Sequence, residues 1–248
     1  MISLEAVLLS LFAGLATGIG GALVVLLRKV GNKAVSFSLG FAAGIMLMVA
    51  FNNLFFEAQK LLTGVELMGM FCAGAITIIV LDLTIPHIEL TRGEKVKNPQ
   101  MLRRGLLIAA GITLHNFPEG FVVAAGYAYT PALGIIIAVA ILFHNIPEGV
   151  ATAMPLVEAG VAPLKIFVIT LLSGLAEPLA ALLGVMSFSL VGTPTAVGFA
   201  LVFAAGVMVY ITVDELIPVA HEYGYKHTVS VGLLLGIIFA LLINVLIS

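Results

Sequence analysis

Two nearly identical polar hexapeptides, HNFPEG and HNIPEG, interrupt apolar stretches of this 248-residue chain. Each hexapeptide places a histidine four residues before a glutamate, His115 before Glu119 and His144 before Glu148. Residues at this spacing share one face of an α-helix, so each hexapeptide presents an imidazole beside a carboxylate. A very short link near Tyr127 to Pro131 separates the two helices, so they should be antiparallel neighbours, and their two faces can converge into a cage of two histidines and two carboxylates. Such a donor set suits zinc and also iron, cobalt, manganese or cadmium.

Further polar side chains extend this donor set. Asn116 and Asn145 directly follow the two histidines and can offer amide oxygens to a second metal position. Glu177, in the sequence SGLAEP, can complete that position, with Glu119 bridging the two metals. All of these residues lie in apolar stretches of the length that spans a bilayer. A charged group at the bilayer centre costs about 2.5 to 3.5 kcal/mol on insertion scales, so charged residues in such stretches usually have a function.

Each of the three motifs contains a proline next to its glutamate: Pro118, Pro147 and Pro178. Proline lacks an N–H and clashes with the carbonyl group four residues earlier, so we expect kinked helices with exposed backbone oxygens. Irregular backbone at membrane depth is tolerated where it lines a cavity, and broken helices near the midplane are typical of transporter binding sites. The three prolines beside acidic residues therefore predict a binding site.

The elements that position these residues must be membrane-spanning helices. The chain is 61% hydrophobic and 10% charged, and its mean hydropathy is +1.21, far outside the range of water-soluble domains. Apolar runs of about 20 residues, without a ten-residue alternating pattern, predict a helical bundle and exclude an outer-membrane barrel. We expect one all-α transmembrane domain over residues 1–248, with eight spans near residues 4–27, 34–57, 65–86, 104–127, 131–156, 163–187, 195–218 and 228–247.

Basic residues predict the orientation of the bundle, because lysine and arginine accumulate in short cytoplasmic loops. With the N-terminus outside, the outer loops hold only Lys60. The inner loops then hold ten basic residues: Arg28, Lys29, Lys33, Arg92, Lys95, Lys97, Arg103, Arg104, Lys165 and Lys226. We therefore expect both termini on the outer side of the plasma or inner membrane. The net charge of −2 does not indicate nucleic-acid binding.

Many glycines lie inside the predicted spans, among them Gly14 and Gly18 in the first and Gly40 and Gly44 in the second. Small residues at this spacing let membrane helices approach closely. They also suit helices that slide past one another, and the sequence does not separate these two roles.

Polar residues nearer the helix ends are candidates for an entrance and an exit. By the predicted topology, Asn53 and Glu57 lie toward the outer end of the second span. A second set lies toward the inner ends of the third and seventh spans: Asp82, His87, Asp214, Glu215 and His221. Polar residues at helix ends are also common as caps or solvated side chains, so both interpretations stay open.

At HNFPEG, HNIPEG and SGLAEP the chain resembles the ZIP family of divalent metal transporters, in particular its bacterial branch of broad specificity. The resemblance extends over the whole chain. It implies a transporter, not an enzyme, that moves zinc and also iron(II), manganese, cobalt and cadmium into the cytoplasm by alternating access. The metal is the substrate, and no organic cofactor is implied.

The same resemblance implies a binuclear site. One metal is then held by His115, Glu119, His144 and Glu148, and the other by Asn116, Glu119, Asn145 and Glu177. In the second span, Met46 is the candidate for an additional metal contact. The resemblance also implies an elevator-like shift of the first, fourth, fifth and sixth helices against the other four, and a homodimer formed through those other four.

Two features depart from what the family often shows. The loop from Thr91 to Arg103 contains no histidine, which argues against metal sensing by this loop. Asn145 stands where some members place aspartate, so the second metal position has one carboxylate fewer and is expected to bind more weakly or to serve as a relay.

Two other functions stay open at this point. An intramembrane zinc-dependent hydrolase would use similar ligands, with a glutamate activating water. Its HExxH motif is missing, because Tyr225 follows His221 and Glu222 where the second histidine belongs, and four protein ligands leave no open position on zinc. A proton-translocating or structural bundle has no need of paired ligand faces. Measurement of metal flux separates transport from both alternatives.

Overall fold

The structure is a computed structural model that describes residues 4–27, 30–84 and 97–247, with the backbone alone at residues 82–84. Within these residues, eight helices are long and apolar enough to cross a membrane, which confirms the predicted all-α membrane fold. They are α1 (Leu4–Leu27), α2 (Asn32–Gln59), α3 (Gly64–Thr84), α4 (Pro99–Tyr129), α5 (Pro131–Ala159), α6 (Pro163–Val191), α7 (Pro194–Glu222) and α8 (Lys226–Ile247).

The four helices α4 to α7 all begin with proline as their first residue. This position suits proline because the first helical N–H groups have no partner within the helix. Capping side chains satisfy other free N–H groups: Asn98 Oδ1 accepts from Met101 N at 3.3 Å, and Thr130 Oγ1 accepts from Leu133 N at 3.2 Å. The caps extend α4 to Pro99, beyond the predicted start at residue 104, because capping depends on local hydrogen bonds and not on hydropathy.

Within the described residues, three helices contain irregular segments. A π-helical segment spans Val49–Phe55 in α2, and another spans Thr212–Leu216 in α7. The helix α6 is interrupted at Leu175, two residues before Glu177, and so consists of two shorter helices, Pro163–Gly174 and Ala176–Val191. By contrast, α4 and α5 run through their central prolines as continuous helices.

Close backbone contacts hold α1, α4, α5 and α6 together as a first group. The backbones of Gly14 in α1 and Gly174 in α6 are in contact, and Gly120 in α4 lies against the backbone of Glu177 in α6. A Cβ atom at any of these glycines would collide with main-chain atoms of the neighbouring helix. The absence of a side chain therefore permits the packing of this group.

The helices α2, α3, α7 and α8 form a second group built in the same way. Gly44 in α2 lies against the backbone of Leu233 in α8, and Gly206 in α7 lies against the backbone of Phe71 in α3. Small residues that allow close backbone approach are a common means of packing membrane helices.

Contacts between the two groups are looser. Here α2 packs on α5, and α4 packs on α7. Gly111 of α4 faces this boundary, and a Cβ there would lie 3.7 Å from Glu215 Oε2, an ordinary contact distance. Among the described residues, each glycine whose Cβ would strike the main chain of another membrane-spanning helix meets a helix of its own group. The glycines therefore pack each group internally.

Candidate metal centre

The two hexapeptides meet inside the first group, on the facing sides of α4 and α5. Glu119 Oε1 lies 2.9 Å from His144 Nε2 and 3.2 Å from His115 Nε2. Glu148 Oε1 lies 3.1 Å from His115 Nε2 and 3.9 Å from His144 Nε2. Each of the four side chains offers one ligand atom, and these atoms all lie within 4.8 Å of one another. The structure thus brings together the four residues that the spacing of the motifs paired.

The geometry of this cluster fits a bound cation. All four side chains are buried. Ligands about 2.1 Å from a tetrahedral zinc ion lie about 3.4 Å from one another, close to the observed separations. His115 Nε2 and both carboxylate oxygens of Glu148 are buried and make no hydrogen bond of regular geometry, although His115 Nε2 lies 3.1 Å from Glu148 Oε1. Buried polar atoms without partners are costly, and a cation among them would satisfy them together.

The two asparagines are oriented by hydrogen bonds that they donate. Asn116 Nδ2 donates to the carbonyl oxygen of Ser173 at 3.0 Å, and Asn145 Nδ2 donates to the carbonyl oxygen of Ala13 at 2.9 Å. Asn145 Nδ2 also donates to Glu177 Oε1. Because the amide nitrogens face backbone carbonyls, the amide oxygens are free to act as ligands.

A second set of oxygen donors results from this arrangement. Asn116 Oδ1, Asn145 Oδ1, Glu119 Oε2 and Glu177 Oε2 are all buried and make no hydrogen bond. These four atoms belong to the residues predicted for the second metal position. One carboxylate oxygen of Glu119 faces the histidines and its other oxygen is unpartnered, as a bridging ligand requires.

A cavity of about 420 Å³ leads from His115 toward one end of the bundle. It lies between α4 and α7, along the boundary between the two groups, and Gly111 and Leu107 contribute to its α4 wall. Asp214 and Glu215 line its α7 wall. We call the end where α4 begins and α7 ends the Arg104 end.

Apolar side chains close the boundary on the other side of the cluster. One hydrophobic core joins residues of both groups there, including Met46, Val123, Ile137, Ile141 and Leu201, all fully buried. Of these residues, Val123 in α4 lies beyond Glu119, and Ile137 and Ile141 in α5 lie beyond His144, on the side away from the Arg104 end. The cavity therefore connects the site with the Arg104 end, and a hydrophobic core lies on the opposite side of the site.

The predicted additional metal contact, Met46, and the two residues predicted for an entrance, Asn53 and Glu57, have other partners. Met46 Sδ accepts from Thr212 Oγ1 at 3.7 Å, a contact between α2 and the π-helical segment of α7. Asn53 is buried and donates to Asn244 Oδ1 of α8 at 3.0 Å. Glu57 Oε1 pairs with Lys60 Nζ at 2.6 Å, and this hydrogen bond raises the pKa of Lys60.

The residues predicted for an exit are found in different surroundings. Asp214 and Glu215 line the cavity, as an exit role requires. His221 Nδ1 lies 2.8 Å from the carbonyl oxygen of Ile217, one turn earlier in its own helix. His87 and the side chain of Asp82 lie outside the described residues.

Some contacts near the site were not anticipated from the sequence. The hydroxyl groups of Thr113 in α4 and Ser173 in α6 bond to each other. Ser173 lies in the SGLAEP motif, but no role for its hydroxyl group was predicted from the sequence. An ion pair of Arg104 with Glu222 joins the two groups at the Arg104 end. The opposite charges of that pair offered a signal, but nothing in the sequence indicated that α4 and α7 are neighbours.

Comparison with known proteins decides the family. The family model described as ZIP Zinc transporter matches residues 87–244 of this chain. The chain belongs to the ZIP family. The zinc transporter ZupT of Chlorobium phaeovibrioides is 42% identical over 248 residues, covering 93% of each chain. Its counterpart in Corynebacterium efficiens is 40% identical over 92% of this chain and 91% of the relative, and that of Chlorobium chlorochromatii is 38% identical over 93% and 92%.

Membership of the ZIP family confirms the resemblance drawn from the three motifs. The similar proteins are named as zinc transporters and come from bacteria, which agrees with a multi-pass protein of a bacterial inner membrane. No such agreement exists for the intramembrane hydrolase, which the comparisons do not support.

Proposed function

We propose that this chain transports zinc across a bacterial inner membrane through the buried histidine and glutamate cluster. The observation that carries the proposal is the position of the cluster. It lies within the first group of helices, at the buried end of a cavity between the two groups. The names of the relatives support zinc as a substrate. The whole chain, residues 1–248, then acts as one transporter domain.

The donor atoms support a binuclear site for divalent transition metals. One metal is bound by His115, Glu119, His144 and Glu148, and the other by the amide oxygens of the two asparagines with Glu119 and Glu177. Imidazole and carboxylate ligands also accept iron(II), manganese, cobalt and cadmium, so we propose broad selectivity. The metals are substrates, and the protein needs no organic cofactor.

The basic residues orient the cavity in the membrane, and the family supports transport of metal toward the cytoplasm. With both termini outside, the Arg104 end faces the cytoplasm and the cavity opens inward. Metal that has reached the cluster leaves through this cavity, past Asp214 and Glu215. Their side chains offer oxygen atoms that attract a departing cation. The structure is then the inward-facing state of the transporter.

The packing of the two groups supports alternating access by relative movement. Tight glycine contacts make each group a rigid unit, whereas the boundary between the groups has ordinary contacts and an internal cavity. We propose that α1, α4, α5 and α6 carry the metal and shift against α2, α3, α7 and α8. Movement of packed units as rigid bodies is a common form of conformational change in proteins.

The second group also provides the surface for homodimer formation. Large apolar side chains of α3 and α8 are exposed, including Val65, Ile76, Leu234 and Val245. Lipid covers this surface in a monomer, and we propose that a second copy covers part of it in the membrane. A dimer anchored there leaves the metal-carrying group free to move.

Metal flux into proteoliposomes tests the transport function. The protein is reconstituted with a metal-sensitive dye inside the vesicles, and zinc or iron(II) is added outside. We expect native protein to pass both ions and Glu148→Gln to pass neither, because the variant keeps the size of the side chain but loses the ligand charge. Glu66→Gln, which alters an exposed carboxylate at the start of α3, serves as the matched control.

The same experiment separates the remaining possibilities. If native protein binds zinc tightly but passes none, the transport function fails and the hydrolase has to be tested with peptide substrates. If Glu148→Gln passes zinc at the native rate, transport is real but does not use this cluster. A role other than catalysis agrees with the names of the relatives.

A further inference from the structure

Two hydroxyl groups join α4 to α6 beside the candidate metal centre. Thr113 Oγ1 lies 2.7 Å from the carbonyl oxygen of Ala109 and 3.1 Å from Ser173 Oγ. Ser173 Oγ in turn donates to the same Ala109 carbonyl oxygen at 3.1 Å. Since each hydroxyl group carries one proton, Thr113 donates to Ser173 Oγ and Ser173 donates to the Ala109 carbonyl oxygen, and this chain of bonds joins α6 to α4.

This hydroxyl link adjoins Asn116. Ala109, Thr113 and Asn116 lie on one face of α4, because they are separated by four and three residues. Asn116 Nδ2 donates to the carbonyl oxygen of Ser173 at 3.0 Å. The residue whose hydroxyl group binds Thr113 therefore also provides the carbonyl group that orients Asn116.

The link holds the protein where its backbone is irregular. The interruption of α6 at Leu175 lies between Ser173 and Glu177. Leu175 N still donates to the carbonyl oxygen of Leu171 at 3.0 Å, so one helical hydrogen bond reaches the interruption, and contacts with neighbouring helices also help to fix the direction of the chain there. The hydroxyl groups of Thr113 and Ser173 provide such contacts, and both residues are at least partly buried.

We propose that Thr113 and Ser173 are positioning residues for the second metal. They hold the Ser173 carbonyl group at hydrogen-bonding distance from Asn116 Nδ2, which keeps Asn116 Oδ1 directed away from the backbone and free to bind metal. This inference rests on the proposed function, because it concerns the second metal position of the same site. Residues that hold metal ligands in place typically change metal affinity by about 10-fold to 100-fold when they are replaced.

Thr113→Val tests the inference, since valine has the shape of threonine but lacks the hydroxyl group. The matched control is Thr77→Val: Thr77 Oγ1 also lies 2.7 Å from the carbonyl oxygen four residues earlier, but on an exposed face of α3. Thr113→Ser keeps the hydroxyl group and serves as the conservative variant. Ser173→Ala removes the link from its other side and provides an independent test if Thr113→Val fails to fold.

The measurement is calorimetric titration of cadmium and zinc into purified protein in lipid nanodiscs. We expect Thr113→Val and Ser173→Ala to weaken the second ion by about 10-fold while the first ion changes by less than about 2-fold. Thr77→Val and Thr113→Ser should bind both ions as the native protein does. A role in general stability would instead lower the thermal stability or weaken both ions together.

Several outcomes would overturn the inference. Equal affinities in Thr113→Val and Thr77→Val show that the link between the hydroxyl groups has no effect on metal. Equal losses for both ions show a structural role only. If native protein binds one ion, the binuclear part of the proposed function fails and the inference fails with it, whereas flux through the histidine cluster is tested separately by Glu148→Gln.

Discussion

At the residue scale, Glu119 has the central position in the candidate metal centre. One of its oxygens approaches both histidines, and its other oxygen is buried without a partner. Glu177 belongs only to the second set of donors, where it accepts a hydrogen bond from Asn145. The two carboxylates should therefore differ in the number of ions that depend on them.

We expect Glu119→Gln to lose both bound ions and Glu177→Gln to lose only the second. Each variant removes one negative charge while nearly preserving side-chain volume. Equilibrium dialysis followed by elemental analysis gives the number of zinc ions per chain. If Glu119→Gln retains one tightly bound ion, this carboxylate does not bridge the two positions.

Asn145→Asp should make stability more dependent on metal. Aspartate cannot donate to the carbonyl oxygen of Ala13 and places a second carboxylate beside Glu177, so the metal-free protein should be less stable. Loss of such a buried contact costs about 1 to 3 kcal/mol. With zinc bound, the added ligand charge should reverse part of this loss.

Thermal unfolding in detergent, with chelator or with zinc, measures this effect. The increase in melting temperature on adding zinc should be larger for Asn145→Asp than for the native protein. An equal increase would show that position 145 does not contact the metal.

At the element scale, glycines decide how closely the helices of one group approach. Gly120 and Gly111 lie on the same helix, yet their surroundings differ. A Cβ at Gly120 would collide with the main chain of Glu177, whereas a Cβ at Gly111 would only touch a side-chain oxygen of Glu215 across the cavity. Main-chain atoms of a packed helix cannot move aside without separating the helices.

Gly120→Ala should therefore destabilise the protein, and Gly111→Ala should not. Overpacking of a tight contact costs about 1 to 3 kcal/mol, and more where backbone must shift. Thermal unfolding of both variants in the same detergent checks this difference. Equal melting temperatures would contradict the division of the helices into two tightly packed groups.

At the scale of the whole molecule, the cavity and the apolar core make the two ends of the bundle unequal. The cluster communicates with the Arg104 end, and fully buried residues such as Val123 separate it from the other end. A polar thiol reagent should therefore reach the cavity but not the core.

Cysteine variants test this accessibility. In a Cys72→Ser background, Gly111→Cys should react with a hydrophilic thiol reagent, and Val123→Cys should not, as followed by mass spectrometry. Modification at position 111 should also block zinc flux by filling the cavity. Rapid labelling at position 123 would indicate that the protein is mainly open at the opposite end.

The ion pair of Arg104 with Glu222 joins the two groups at the open end. Exposed ion pairs typically contribute up to about 1 kcal/mol, so Arg104→Gln should shift the balance between open and closed states by up to about fivefold. The labelling rate of Gly111→Cys, measured with and without Arg104→Gln, reports this shift. In 1 M salt the two labelling rates should become more similar, because salt screens the ion pair. An unchanged rate would exclude a role for this pair in conformation.

The sequence by itself determined the membrane fold and the four residues of the histidine and glutamate cluster. These properties depend on local patterns. Long apolar runs require helices in a bilayer, and a spacing of four residues places His115 with Glu119 and His144 with Glu148 on single faces. The short link near Thr130 also made the two helices neighbours, so their faces could be expected to meet.

Only the tertiary structure decided which groups contact one another across distant helices. It showed that the glycines pack each group internally, that Asn53 pairs with Asn244, and that Thr113 pairs with Ser173. It also decided which end of the site is open. Such contacts join residues far apart in the chain, and their distances depend on how all eight helices pack together, which local spacing and hydropathy do not specify.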